Sequence, residues 1–175
     1  MKAQTYDFRD GNGPVPSHIH TNGGGWVADT ANVHNSAYIG PDARVYGNAR
    51  VYGNAGVYDN ARVYDNARVY GNAWVSGDAW VSGNARVHGD AWVHGDAWVH
   101  GDAWVKRGIY TSTPTSITRS DGYMFTLQSD GSIVAECRDF TPDEAKAHWG
   151  NPEHHKHRES MAIVTALNAI AAERQ

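Results

Sequence analysis

Three histidines at six-residue spacing, His88, His94 and His100, share the run HGDAWVHGDAWVHGDAWV (residues 88–105) with Trp92, Trp98 and Trp104. Imidazole titrates near neutrality, so each could take a proton from a hydroxyl or an amine as a general base. A second series recurs every eighteen residues: Arg50, Arg68 and Arg86, followed two positions on by Tyr52, Tyr70 and His88. Guanidinium grips phosphate through paired N–H donors, and Tyr, His or Trp offers a face on which a base stacks. That pairing suits a small anionic ligand such as a nucleotide. A third group, His148, His154, His155 and His157, lies in AHWGNPEHHKHRE. His154 and His157 could share one helical face and bind metal; solvated histidines at a polar helix start are the alternative, and no metal site is assigned. His18 and His20, two apart, are half a metal site or a surface pair.

The elements that position these groups come from a repeat. From Val27 to Val105 an aliphatic residue stands at every sixth position without one insertion, and four residues after nearly every one comes Ala, from Ala31 to Ala103. Between them lie Gly-Asn, Gly-Asp, Asp-Asn or Pro-Asp, so each hexad is a short strand and a turn. A period of six does not fit an amphipathic helix, because 3.6 does not divide it. It fits a β-solenoid in which the aliphatic residue and Ala point inward and the residues flanking Val point out.

An aliphatic residue followed four positions later by a small one, sustained over residues 27–105, resembles the hexapeptide-repeat family. The resemblance implies a mainly β fold, a left-handed parallel β-helix of triangular coils with three hexads per coil. Residues eighteen apart then stack on one face, about 4.8 Å apart. Arg44, Arg62, Trp80 and Trp98 share the first face, Arg50, Arg68, Arg86 and Trp104 the second, and Tyr38, Gly56, Trp74 and Trp92 the third. So many outward rings would overexpose a monomer, and the resemblance implies a homotrimer with Trp74, Trp80, Trp92, Trp98 and Trp104 at its interface.

The family is best known for acyltransferases that bind acyl-coenzyme A between subunits and use a His as general base, which would cast His88, His94 and His100 as catalytic. Spacing of six puts them on three faces of one coil, and no extruded loop interrupts the register. Coenzyme A is therefore expected only under that alternative, and otherwise no cofactor. Another branch resembles gamma-type carbonic anhydrases, whose zinc needs three nitrogens at about 2.0–2.1 Å; the spacing departs from that pattern too. The coils carry no ladder of outward Thr for ice binding.

Residues 1–26 read as an N-terminal cap, with Gly23, Gly24 and Gly25 marking flexible or tightly turned backbone. Residues 107–175 read as a small α+β domain. Strands are expected at about 115–119, 123–128 and 132–138, joined by Asp121-Gly122 and Asp130-Gly131 turns. A first helix has Thr141 as N-cap, Pro142 at its first position, Glu144 completing a capping box and Gly150 as stop. A second runs from about 152 to 173 with Met161, Val164, Leu167, Ile170 and Ala171 on one face. The stretches RSDGYMFTL, IVAECRDFT and EAKAHWG look like C-terminal modules of phage-borne hexapeptide-repeat proteins, which implies a viral origin.

A net charge of −4 gives no overall basic footprint for double-stranded nucleic acid. The single cysteine, Cys137, excludes an internal disulfide. With no signal peptide and no membrane span, the expected location is the cytoplasm, the host's if the chain is phage-encoded. Stacked arginines at Arg50, Arg68 and Arg86 repel by about 1 kcal/mol per pair even in water. Either turn carboxylates such as Asp59 or Asp65 of an adjacent chain offset this, or a ligand phosphate does. The expected function is a non-enzymatic homotrimer holding a nucleotide or cyclic nucleotide signal in inter-subunit grooves. Its site residues would be Arg50, Arg68, Arg86, Tyr52, Tyr70, His88, Trp92, Trp98 and Trp104. An acyl-coenzyme A-dependent acyltransferase and a purely structural or assembly module are the alternatives.

Overall fold

The structure is a computed structural model that describes residues 4–135 and 138–174. Each hexad forms a strand of two residues, an outward one and an inward valine or isoleucine, and then a turn. From Ile39 to Val105 these aliphatic side chains are fully buried, and with the alanines they fill one continuous interior; Val33 and Ala31 at the open end are partly buried. Small aliphatic side chains fill the space between the three walls, and only at the lower end does a larger one, Tyr110, take the inward position, opposite Val93.

The strands stack in parallel, each paired with the strand eighteen residues on, to give three faces and about five coils. Face A carries Trp26, Arg44, Arg62, Trp80 and Trp98 in register. Face B carries Asn32, Arg50, Arg68, Arg86 and Trp104. Face C carries Tyr38, Gly56, Trp74 and Trp92, and ends on Ile109. The expected face assignment therefore holds at every rung. Backbone N–H groups donate to the coil below, as Arg44 N does to Ala61 O and Tyr46 N to Val63 O, both at 3.0 Å.

Most turns place glycine in left-handed backbone, but Asp59 (φ 54°) and Asp65 (φ 58°) take the same conformation. Their carboxylates offset the strain by accepting from the next coil: Asp59 Oδ2 from Gly77 N at 3.0 Å and Asp65 Oδ2 from Gly83 N at 3.1 Å. These two acids thus have partners within their own chain.

At the N-terminal end, strands Thr5–Asp7 and Pro14–Ile19 form an antiparallel hairpin, and Pro14–Ile19 pairs antiparallel with Trp26–Ala28, so the cap extends face A. Phe8, Ala28 and Tyr46 are buried beneath it. The glycine run is a tight turn: Gly25 N donates to Ile39 O at 2.9 Å, and a β-carbon on Gly23 would collide with the Ile39 carbonyl. His18 and His20 part company. His18 Nδ1 pairs with the exposed Asp29 at 2.9 Å, whereas His20 is buried with Nδ1 on the Asn22 carbonyl at 3.1 Å.

At the other end the ladder runs one strand past Lys106, through Ile109–Tyr110. An antiparallel sheet follows, made of Ser116–Thr118, Met124–Leu127, Ile133–Ala135 and Arg138–Phe140. The single strand expected at 132–138 is two strands, with Ala135 facing Arg138; Cys137 lies outside the described residues. Helix α1 (Pro142–Gly150) has the expected capping box, and Asn151, not Gly150, is its C-cap. Helix α2 (His157–Glu173) starts five residues later than expected. Asn151 Oδ1 accepts from Glu153 N at 3.0 Å, a local turn that competes with helix, and Lys156 sits at φ 52°. Ile163, Val164 and Leu167 of α2 pack with Trp149 of α1 on Phe125, Leu127 and Ile133.

This unit closes the lower end of the solenoid through Gln128, which is buried. Its Oε1 accepts from Lys106 N and Tyr110 Oη, each at 3.0 Å, and its Nε2 donates to Trp104 O at 2.9 Å. One side chain thereby stands in for the next strand on the open edge of face B.

Candidate functional site: a bipolar groove on face A

The residue before each inward valine points outward, so Arg44, Arg62, Trp80 and Trp98 form a column along face A. The corner that precedes this face supplies a second column, Asn60, Asp78 and Asp96. Together they line a groove of about 490 Å³. Cations stand at its upper end, indoles at its lower end, and carboxylates run beside the indoles.

The electrostatics of the groove are uncompensated. Among the described residues, no guanidinium of the solenoid arginines Arg44, Arg50, Arg62, Arg68 and Arg86 makes an ion pair or a hydrogen bond, and Arg44 Nη1 is buried without a partner. Two arginines beyond the coils do find carboxylates: Arg119 meets Asp121 at 2.8 Å and Arg107 meets Asp130 at 3.2 Å. Aromatic rings take up some of the slack, since Arg62 lies 5.1 Å from the Trp80 ring centre and Arg86 lies 4.2 Å from that of Trp104. The indoles of the lower coils are held in place by serines one coil up. Trp98 Nε1 donates to Ser82 Oγ at 2.9 Å, and Trp92 Nε1 to Ser76 Oγ at 3.1 Å.

Face B gathers seven of the nine residues expected to bind ligand: Arg50, Tyr52, Arg68, Tyr70, Arg86, His88 and Trp104. Its rings stack on one another, Tyr52 on Tyr70 at 4.9 Å and Tyr70 on His88 at 4.8 Å, both pairs nearly parallel. Their faces are thus already engaged within the chain. Trp98 lies on face A and Trp92 on face C, so the nine residues do not form one site in a single chain. His88, His94 and His100 follow strands on faces B, C and A and do not converge. Burial, then Lys106 and Arg86, push the His88 imidazole pKa down, and its Nε2 is buried without a partner.

In the C-terminal unit, His154 does not pair with His157. His154 Nε2 meets His148 Nε2 at 3.2 Å, while His157 Nδ1 donates to the Trp149 carbonyl at 2.6 Å. Burial, His154 and Arg138 together lower the His148 pKa. Among the described residues no three His, Cys, Asp or Glu side chains gather as a metal site would require.

Sequence reasoning placed Arg44 and Arg62 on an outer face without assigning them a role, gave Trp80 to the trimer interface, and passed over Asn60, Asp78 and Asp96. The signal was present: these three recur at eighteen-residue spacing, in step with the arginine and tryptophan column beside them.

Among the described residues no helix is long and apolar enough to cross a membrane. No curated protein and no solved structure matches the chain. Of the protein-family models, the YdcK beta solenoid repeat matches at residues 43–59, 55–69, 61–77, 67–83 and 79–95. The matched segments include Arg44, Asn60, Arg62, Asp78 and Trp80 of the groove and stop short of Asp96 and Trp98; from 43 to 95 the β-solenoid is similar to repeats of the YdcK kind.

Proposed function

We propose that the chain is a non-enzymatic homotrimeric binding protein whose inter-subunit grooves hold a small anionic ligand, a nucleotide or cyclic nucleotide signal. One observation carries this reading: a column of arginines without carboxylate partners runs into exposed indoles. Like charges stacked at strand spacing are held at a cost that a bound phosphate would offset, and the indoles beside them would take a base.

The trimer has its own support. Trp74 (48% exposed) and Trp92 (39%) on face C, and Trp80 (38%) and Trp98 (44%) on face A, flank a single corner. A threefold arrangement that sets face C of one chain against face A of the next covers all four and puts the groove at the boundary between subunits. Taken with the phage-like stretches of the C-terminal unit, such grooves would sequester a host nucleotide signal in the host cytoplasm and so blunt immunity.

The test is a thermal-shift panel of mono-, di- and cyclic nucleotides with coenzyme A alongside, joined to a sedimentation mass. A ligand at a hundred times its Kd should stabilise by about 2.7 kcal/mol. That response should shrink in Arg62→Ala and in Arg44→Ala, and the mass should be that of three chains. A monomer that no nucleotide stabilises overturns the proposal, and a response to coenzyme A alone turns the argument toward acyl transfer.

A further inference from the structure

The face A groove differs from the other corners of the solenoid in its acids. At the corner before face C, Asp90 Oδ1 accepts from Asn72 Nδ2 at 3.1 Å, and at the corner before face B, Asp102 Oδ1 accepts from Asn84 Nδ2 at 2.9 Å. Asp78 and Asp96, one rung apart in the groove wall, have no hydrogen bond or ion pair among the described residues. Two uncommitted carboxylates at strand spacing repel one another and call for N–H donors from outside the chain.

Rung order adds a direction. Arg44 and Arg62 come first, then Trp80 with Asp78 beside it, then Trp98 with Asp96 beside it. A ligand that satisfies every group must be an anion at one end and a flat ring with donors along its edge at the other. From the arginine pair to Trp98 is two rungs, about 10 Å. The Trp98 indole is already fixed by Ser82, so the platform is preorganised.

Resting on the nucleotide reading of this same groove, we infer that it selects guanine: Arg44 and Arg62 hold the phosphate, and an Asp78 or Asp96 carboxylate receives the base's Watson–Crick edge. A carboxylate offers two acceptor oxygens side by side. Guanine presents two adjacent donors, N1–H and the N2 amino group, and so meets both. Adenine and cytosine present one amino group next to a ring-nitrogen acceptor whose lone pair faces the second oxygen. Uracil and thymine set one N–H between two carbonyls. Each of these leaves an acceptor against an acceptor, and a good bidentate contact typically discriminates by about 1–3 kcal/mol.

The experiment is calorimetric titration of the full chain with guanosine monophosphate, adenosine monophosphate and inorganic phosphate. Guanosine monophosphate should bind at least about tenfold tighter than adenosine monophosphate, the fold-change that about 1.4 kcal/mol provides. The double variant Asp78→Asn, Asp96→Asn should erase that preference while adenosine monophosphate binds as well as before or better, since negative charge has been removed. Asn60 already occupies the same column one coil higher, so this variant should fold. Equal binding of the two nucleotides, both lost in Arg62→Ala, overturns guanine selection and leaves the nucleotide reading standing. A preference that survives the double variant also overturns the role of the acids. If neither nucleotide binds, the inference and the reading beneath it fail together.

Discussion

Replacing Gln128 by Leu tests how the solenoid is closed. The amide side chain joins Lys106 N, Tyr110 Oη and Trp104 O at 2.9–3.0 Å from a buried position. Leucine is of similar size, so packing changes little, but three polar groups lose their partner in a dry contact. Leaving a buried donor or acceptor unmet costs about 1–3 kcal/mol each. The phenol oxygen still accepts from the Ser129 amide at 3.0 Å and so stays partly satisfied, and the two backbone groups should dominate. Gaining a leucine's apolar surface returns about 1–2 kcal/mol. The balance is a loss of about 2–3 kcal/mol, or about 4–12 °C in melting temperature for a chain of this size. Urea unfolding would measure the loss, and hydrogen exchange at the Lys106 amide would locate it. A change under about 0.5 kcal/mol, with Lys106 as protected as before, would refute the idea that Gln128 substitutes for a missing strand.

Two further outcomes follow from the coils and their histidines. Asp65→Ala loses the bond to Gly83 N and keeps the left-handed strain, so it should cost about 1–2 kcal/mol, whereas Asp65→Gly exchanges that bond for relief of strain and should stay within about 0.5 kcal/mol; equal costs in denaturant melts would argue against the compensation described. Burial lowers the pKa of His88 and His148 below the ordinary imidazole value of about 6.5, so the unfolded chain takes up protons first: stability should be full above that pH, fall as pH drops from there toward the lowered folded values, and level off beneath them. Melting temperatures between about pH 7.5 and 5 should decline, less steeply in His88→Phe, and a flat profile would contradict the burial of these rings.

The solenoid was legible because its register is arithmetic. Once Val27 to Val105 repeat at six and close a coil at eighteen, each of Arg44, Trp80 or Trp104 has its face and rung assigned, and the pairings agree. The groove was less legible, since Asp78, Asp90, Asp96 and Asp102 occupy the same turn position in nearly the same words. Asp90 and Asp102 each have an asparagine one rung above that reaches the carboxylate; Asp96 has Asp78 there, which the sequence does carry, while Asp78 has Asn60, whose failure to reach is side-chain geometry that spacing does not carry. The aromatic column at Tyr52, Tyr70 and His88 looked like a platform for a base; its rings fill one another's faces instead. In the C-terminal unit, Pro152 read as a helix start, yet the Asn151 side chain holds a turn there and delays α2 to His157. The histidine partnership changed for the same reason, because that turn brings His154 back to His148 on α1.

The most direct test of the central claim, that unpaired solenoid arginines serve a nucleotide at the subunit boundary, is the stoichiometry of binding at a known molecular mass. Equilibrium dialysis of guanosine monophosphate against protein whose mass has been measured by light scattering should give three bound ligands per three-chain particle. Affinity should weaken as salt rises and drop sharply in Arg62→Ala. A monomer, or a trimer that binds no nucleotide at low salt, would contradict it.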